Sequence, residues 1–324
     1  MENNSLNEIA KVLKNKNSFL IISHKFPDGD TIGANFALSL CLKKLNKKVI
    51  SYCEHKIPEV FEFLLTDDIK FTTSVEDIKN EKFDSIVAVD ASDERRFSEF
   101  EKIKNLGEII INIDHHKSNE FFGHFNFVDL NASATSEIIY DLIKILEIDI
   151  DKDIAKAIYT GIITDTGSFR YSNTTKKCFH IAGELLSKGI NAWEISEKIY
   201  ENYPFKRIKL LSEALNSIEL LCNNKVALMS LNYETLKKYN ADFDDTDGFV
   251  NYGRSIKGVE LSIFIKEDEN GCKLSFRSKG NVDASKIAEK FGGGGHFNAA
   301  GAYIEKSINE TEKIIKKTLK NFNI

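Results

Sequence analysis

Residues 18–46 read SFLIISHKFPDGDTIGANFALSLCLKKLN, an apolar run closed by a turn that carries His24, Asp28 and Asp30, followed by a stretch with helical apolar spacing. A short run rich in Ile and Phe predicts a buried strand over 18–23, and the pattern after the turn predicts a helix over 31–46. The same alternation continues outward. Strands are expected at 48–52, 85–90 and 109–113, and helices at 97–105, 134–147 and 152–163. Strand-like and helix-like segments in alternation mark a parallel α/β sheet. Amphipathic helices at 175–188 and 191–202 then lead into KRIKLLSEALNSIELL, which reads as a mostly helical connector. Beyond it the order changes to a strand at 225–232, a helix at 245–256, strands at 259–267 and 272–278, a helix at 283–290, a glycine run, a strand at 299–304 and a terminal helix. The expected architecture is an α/β parallel-sheet domain over 1–188, a connector over 189–221 and a smaller α+β domain over 222–324, with a cleft between the domains.

Bulk properties restrict what such a chain does. With 324 residues, 42% of them hydrophobic, it can bury substantial cores. Its longest apolar runs fall far short of the roughly 20 residues that cross a bilayer, so no membrane partner is expected. The polar start MENNSLNEIAKVLKNKN lacks the apolar centre of a secretory signal, which points to the cytoplasm. Five cysteines stand singly, so neither a disulfide framework nor a thiolate zinc site is indicated. The net charge is −5, with 28 basic against 35 acidic residues over 1–221 and 16 against 14 over 222–324. Long nucleic acid calls for a basic surplus that is absent here. A small anionic substrate, held by a few basic groups and bound cations, fits the balance better.

Acidic and imidazole groups recur at the expected strand ends. SIVAVD ends on Asp90, EIIINIDHH ends on Asp114, His115 and His116, and IYTGIITDTGSF carries Asp165 where a helix gives way to a loop. In open parallel sheets the crevice outside the carboxyl ends of the strands is the usual ligand site, so separate strands can deliver these groups to one place. Carboxylates gathered there repel one another unless cations or protons neutralise them. Taken singly, each piece has an ordinary structural reading as a turn former, a helix cap or a buried pair. Four such clusters together favour a site. Oxygen and imidazole donors without thiolates suit Mn²⁺, Mg²⁺, Fe²⁺ or Co²⁺ better than structural zinc, and Mn²⁺ is the ion favoured here.

In the second half, FGGGGHFNAAG fits neither a dinucleotide-binding fingerprint nor a P-loop. It sits inside an expected folded unit, where side-chain-free backbone around Gly293, Gly294 and Gly295 can approach an anion and offer N–H groups, next to His296 and Asn298. Arg277 and Ser278, in LSFRSK, close a strand nearby in sequence. Arg95 and Arg96, in DASDERR, could meet phosphate or simply begin a solvated helix.

At these residues the sequence resembles the DHH phosphoesterase superfamily, whose name matches Asp114–His116. SHKFPDGD, VAVDASD, INIDHH and GIITDTGSF run in that family's order, and SFRSKG with GGGGHFNAAG resembles its associated C-terminal domain. The resemblance implies two divalent metal ions. His24, Asp28 and Asp90 would hold one, and Asp30, Asp90, His115 and Asp165 the other. Metals about 3.5–4 Å apart activate a water and screen phosphoryl oxygens. His116 would then donate a hydrogen bond or proton to phosphate, and Asp114 would orient an imidazole. The resemblance also implies substrate binding by Arg277, Ser278, Gly293, Gly294, Gly295, His296 and Asn298. Within the superfamily, the chain is most similar to stand-alone oligoribonucleases that cut very short RNA to mononucleotides, some with 3′-phosphoadenosine 5′-phosphate phosphatase activity. A cyclic di-AMP phosphodiesterase is the alternative of the same chemistry. A metal-dependent nucleotide-binding sensor is the alternative without turnover. A homodimer is compatible with either.

Overall fold

The computed structural model describes residues 3–319, with the side chains of Asp244 and His296 excepted. The chain divides into two compact units, Met1–Asn202 and Tyr203–Ile324. In the first, α1 (Leu6–Asn15) leads to β1 (Ser18–Ser23), α2 (Gly29–Lys44), β2 (Lys48–Cys53), β3 (Phe71–Thr72) and β4 (Phe83–Val89). Then follow α3 (Phe100–Ile103), β5 (Gly107–Asp114), β6 (Phe125–Val128), α4 (Thr135–Ile145), α5 (Lys152–Asp165), α6 (Lys176–Leu186) and α7 (Ala192–Tyr200).

All six strands run parallel, in the order β3-β2-β1-β4-β5-β6. The chain moves outward from β1 to β3, then returns past β1 to build β4, β5 and β6. That reversal places a topological switch point between β1 and β4, where the loops leaving the two strands part and open a crevice at their carboxyl ends. β1 is buried on both faces, as its unbroken apolar run requires. Phe19 and Ile21 join the cluster formed with α2, α4 and α5, while Leu20 and Ile22 join Tyr52, Phe83, Phe97 and Phe100 on the other face. α2 is buried from Gly29 through Leu42, so it lies inside the unit rather than on its surface. Its close approach to α5 depends on missing side chains. A Cβ at Gly33 would lie 2.4 Å from the Ala157 carbonyl oxygen, and one at Gly161 would lie 1.9 Å from Ser136 Oγ and 2.7 Å from Asp30 Oδ1.

The second unit holds α8 (Phe205–Asn216), β7 (Glu219–Leu221), β8 (Val226–Leu231), α9 (Tyr233–Lys238), α10 (Val250–Ser255), β9 (Leu261–Glu267), β10 (Cys272–Ser278), α11 (Ala284–Glu289), β11 (Gly294–His296), β12 (Ala299–Ile304) and α12 (Ile308–Leu319). Its sheet runs β11-β12-β10-β9-β8-β7, antiparallel except for the β8–β9 pair. Leu228, Ile263, Leu274 and Phe276 pack with Ile287 and Ile315 on one face, and Met229 and Phe264 pack with Leu210 and Phe249 on the other. The expected fold class, a parallel α/β unit and a smaller mixed one, is what the structure contains.

Several elements differ from expectation. The span 189–221 forms no body of its own: α7 packs into the first unit through Ile195 and Ile199, and α8 into the second through Leu210 and Ala214. The helix expected over 97–105 shrinks to α3, because Phe97 and Phe100 both turn inward and stack with centroids 5.7 Å apart, and only a 3-10 turn separates α3 from β5. The helix expected over 245–256 forms only at Val250–Ser255. The glycine run contains an edge strand, β11, joined to β12 by the two-residue loop Phe297–Asn298. The short pieces α1, β3, β6, β7 and α9 were not anticipated.

Candidate metal centre

His24 immediately follows β1 and is 2% exposed. Asp28 caps α2, its Oδ1 accepting from the backbone N–H groups of Asp30 (3.1 Å) and Thr31 (3.0 Å). Asp90 immediately follows β4 with φ at +57°, a left-handed conformation uncommon for a residue with a Cβ, while its N–H still donates to the Ile113 carbonyl at 2.9 Å. Asp114 ends β5, and His115 and His116 follow it. Asp165 is the last residue of α5. The crevice at the β1–β4 switch point thus gathers side chains from four segments that are distant in sequence.

Asp90 is the carboxylate common to the imidazoles. Its Oδ2 lies 3.8 Å from His24 Nε2, and its Oδ1 lies 3.7 Å from both His115 Nε2 and His116 Nδ1. His115 Nε2 also lies 3.7 Å from Asp165 Oδ2 and 4.0 Å from Asp30 Oδ2. Three donor groups emerge, each with its ligand atoms within 4.8 Å of one another: His24, Asp28 and Asp90; Asp30, His115 and Asp165; and Asp90, His115 and His116. The first two correspond to the two sets implied by the family resemblance, apart from Asp90's place in the second set. The structure brings together all six expected ligands, and His116 with them.

Burial governs the electrostatics. It raises Asp30 above the usual carboxylate range, raises Asp90 well above it and lifts Asp165 to about 7, and a neighbouring carboxylate adds to the rise at each. Burial drives the His24 imidazole down to about 4, with the positive field of Arg96 acting in the same direction, so His24 is neutral. His116 resists burial. Its Nδ1 donates to Asp114 Oδ1 at 2.6 Å, and that contact together with the carboxylates around it holds the imidazole up at about 10. Asp114 is fixed in turn by Asn119 Nδ2 at 2.6 Å, and despite its burial it is held below the usual range by these partners.

The cluster fits divalent cations. Three carboxylates with raised affinity for protons, a neutral imidazole whose Nδ1 is buried with no hydrogen-bond partner among the described residues, and the absence of thiolates among these groups form the hard oxygen and nitrogen donor set that such ions take.

A shell of hydroxyl and amide groups, unmarked in the sequence reading, holds these side chains in place. Thr31 Oγ1 lies 2.6 Å from both His24 Nε2 and Asp90 Oδ2. Thr135 Oγ1 donates to Asp90 Oδ1 at 3.0 Å. Asp30 has a second role: Ala134, at the capping position before α4, supplies no side-chain cap, and the Asp30 carboxylate accepts from the N–H groups of Thr135 (2.6 Å) and Ser136 (2.8 Å). Asn173 Nδ2 donates to the Asp165 carbonyl and lies 3.3 Å from its carboxylate. The sequence offered one signal for part of this shell, the polar run NASATSE just before an apolar helix, which marks a helix start without revealing what it caps.

In the second unit the remaining expected residues occupy one sheet edge. Arg277 on β10 and His296 on β11 both stand opposite Ala299 of β12. Arg277 is half-buried, and its Nη1 donates to the Phe276 carbonyl at 3.0 Å. Ser278 is buried and ties β10 to the hairpin loop, with its Oγ donating to the Phe297 carbonyl and its N–H to the Asn298 carbonyl, both at 3.0 Å. Gly293 is held close to β12, where a Cβ would lie 2.0 Å from the Gly301 carbonyl oxygen. Gly295 has φ at +149°, and a Cβ there would lie 2.5 Å from the Ala299 carbonyl oxygen, whereas a Cβ on Gly294 would meet nothing within 4 Å among the described residues. The side chain of His296 lies outside the described residues.

Residues 18–162 match the N-terminal domain of the DHH family, and residues 223–322 match the DHHA1 domain. The bifunctional oligoribonuclease and PAP phosphatase NrnA of Thermus thermophilus is 33% identical over 92% of this chain and 87% of its own length. The chain belongs to the DHH family. As a DHH phosphoesterase it is an enzyme, a phosphodiesterase or phosphatase. Among solved structures, an exopolyphosphatase-related protein from Bacteroides fragilis superimposes with a TM-score of 0.92 at 31% identity, covering 97% of this chain and 95% of that one. The exonuclease RecJ bound to manganese shares the fold at a TM-score of 0.57 and 13% identity, covering 99% of this chain and 96% of that one.

Proposed function

We propose that this DHH enzyme is a manganese-dependent phosphodiesterase that hydrolyses very short oligoribonucleotides, such as pApA, to mononucleotides, and that it also removes the 3′-phosphate of 3′-phosphoadenosine 5′-phosphate. The observation that carries the reading is the convergence of His24, Asp28, Asp30, Asp90, His115 and Asp165 on the β1–β4 crevice. The activity named for the Thermus relative supplies the substrate class.

In this reading His24, Asp28 and Asp90 would hold one divalent ion, and Asp30, Asp90, His115 and Asp165 would hold a second. Such a pair supplies a nucleophilic water and screens the charge that develops on the phosphoryl group. The protein's own residues do the remaining work. Thr31 and Thr135 fix the Asp90 carboxylate, so its lone pairs are set before substrate arrives. His116, held by Asp114, presents its other ring nitrogen as a donor to a phosphoryl or leaving oxygen. In the second unit, Arg277 is assigned to a substrate phosphate, with Ser278 and Asn298 shaping the loop beside it and Gly293, Gly294, Gly295 and His296 contributing to substrate binding.

The deciding experiment is a Mn²⁺-dependent turnover panel of pApA, RNA two- to five-mers, longer RNA, cyclic di-AMP, 3′-phosphoadenosine 5′-phosphate and pyrophosphate. The highest kcat/KM is expected on the shortest linear RNAs. Best turnover of cyclic di-AMP would replace linear RNA as the substrate, best turnover of pyrophosphate would refute the diester assignment, and binding without turnover would make the chain a sensor.

A further inference from the structure

Beside the metal centre, the rim of the same crevice carries aromatic and basic groups with no role so far. β1 and β2 end side by side, with Ser23 opposite Cys53, and each continues into an exposed aromatic residue. Phe26 stands 62% exposed between His24 and Asp28, and His55 is exposed two residues beyond β2. Their rings stack with centroids 5.1 Å apart and planes 14° from parallel. Two bonds join the neighbouring loops. The Cys53 thiol donates to the His24 carbonyl at 3.5 Å, and the Lys25 N–H donates to the Arg96 carbonyl at 3.0 Å.

Positive charge gathers around the pair. Lys25 Nζ lies 5.7 Å from the Phe26 ring centroid. Arg95 is occupied by Asp93 and Glu120, but Arg96 is exposed and makes no ion pair among the described residues. An exposed phenylalanine whose flat ring is already stacked parallel to another, beside cations and two residues from a metal-competent carboxylate, has the character of a nucleotide platform. Bases stack on such faces whatever their sequence, which suits an enzyme of short RNAs with varied bases.

We propose that Phe26 and His55 form a stacking platform for a nucleobase of the substrate, with Lys25 and Arg96 taking an adjacent phosphate; this rests on the oligoribonuclease reading above and adds to it a base subsite in the first unit. The test uses the full Mn²⁺-loaded chain and equilibrium binding by calorimetry. Wild type should bind adenosine 5′-monophosphate about tenfold more tightly than ribose 5-phosphate, the gain expected from stacking one base. Phe26→Ala should erase that gain and leave ribose 5-phosphate affinity and Mn²⁺ content unchanged, and Phe26→Tyr should restore it. Arg96→Gln should weaken both ligands. Equal affinities in wild type, a gain that survives Phe26→Ala, equal losses on both ligands in that variant, or indifference of both ligands to Arg96→Gln would each overturn the subsite. Turnover of pApA is measured in parallel. If wild type fails to cleave it, the oligoribonuclease reading falls on that result alone, while the binding comparison still decides whether a base is stacked at Phe26.

Discussion

The carboxyl edge of the first sheet and the β10–β12–β11 edge of the second hold their candidate residues in different ways. Around Asp90 nearly every polar atom is committed: Thr31, Thr135, Ser136, Asn119 and Asn173 each fix a named ligand or its neighbour, and the carboxylates lie close enough to repel. At the second edge the backbone does the organising. Gly293 and Gly295 let two strands meet, Ser278 pins the loop, and Arg277 lies half-buried on β10. The difference suits chemistry that tolerates little displacement in one unit and recognition of a variable ligand in the other.

The sharpest way to break this contrast is to remove the carboxylate that faces all three imidazoles. Asp90→Ala should lower kcat/KM by about a thousandfold or more and reduce bound Mn²⁺, because it opens both proposed metal sets at once. Asp93→Ala, three residues on, should do neither: its carboxylate caps the turn Glu94–Arg96 and pairs with Arg95 at the surface. Elemental analysis alongside turnover separates the two variants. Near-normal activity in Asp90→Ala would end the dinuclear reading.

At the second edge the effect should be smaller and selective. Arg277→Ala should keep Mn²⁺ content and lower kcat/KM on pApA by about ten- to a hundredfold, the worth of one charge-assisted phosphate contact. Bis(p-nitrophenyl) phosphate, which lacks the rest of the nucleotide, should be cleaved almost as by wild type. Equal losses on both substrates would place Arg277 in the chemistry or the folding, and the division between the units would have to be abandoned.

What the sequence disclosed follows the same division. His24, Asp90 and His115 were legible because each follows a strong apolar strand, and strand ends of a parallel sheet share an edge. Thr135 and Ser136 were not, because their partners lie far along the chain, as with Asp30 capping a helix that begins 105 residues later, and Thr31 gains its role only when Asp90, 59 residues on, is brought beside it. β11 was missed for another reason. Glycine carries no strand signal, and this strand exists because β12 supplies its hydrogen bonds. The 71–72 strand is likewise too short for any period to register.

Burial of carboxylates beside one another at the first edge gives a prediction with a definite sign. In the metal-free fold Asp30, Asp90 and Asp165 bind protons more tightly than unfolded carboxyls do, so the stability they contribute is present at low pH and lost as pH rises through their folded values, about 7 for Asp165. His116, raised to about 10, contributes in the same direction over this range. His24 opposes them only below its ordinary 6.5, which sets the useful window at about pH 7 to 9. Across it the thermal midpoint in EDTA should fall, and the rise on adding Mn²⁺ should grow by a few degrees, roughly 1 kcal/mol or so. A metal-induced rise that shrinks with pH would mean that these buried groups do not bind protons more tightly in the fold.

The smallest expected effect tests why the second edge is built of glycine. Gly293 has a packing reason to be glycine, since a Cβ there would strike the Gly301 carbonyl oxygen at 2.0 Å, and Gly293→Ala should therefore lower stability by about 1–3 kcal/mol as the strands are forced apart. Gly294 lacks that reason. A Cβ there meets nothing within 4 Å among the described residues, and its φ lies outside the left-handed region. Gly294→Ala should accordingly shift stability by no more than about 0.5 kcal/mol. If glycine stands at 294 because a ligand must approach the backbone, the same substitution should raise KM for pApA several-fold while leaving kcat, Mn²⁺ content and bis(p-nitrophenyl) phosphate cleavage as they were. A variant unchanged in both stability and KM would show that the ligand does not approach at Gly294, and the recognition assigned to this edge would then rest on Arg277 and the hairpin loop alone.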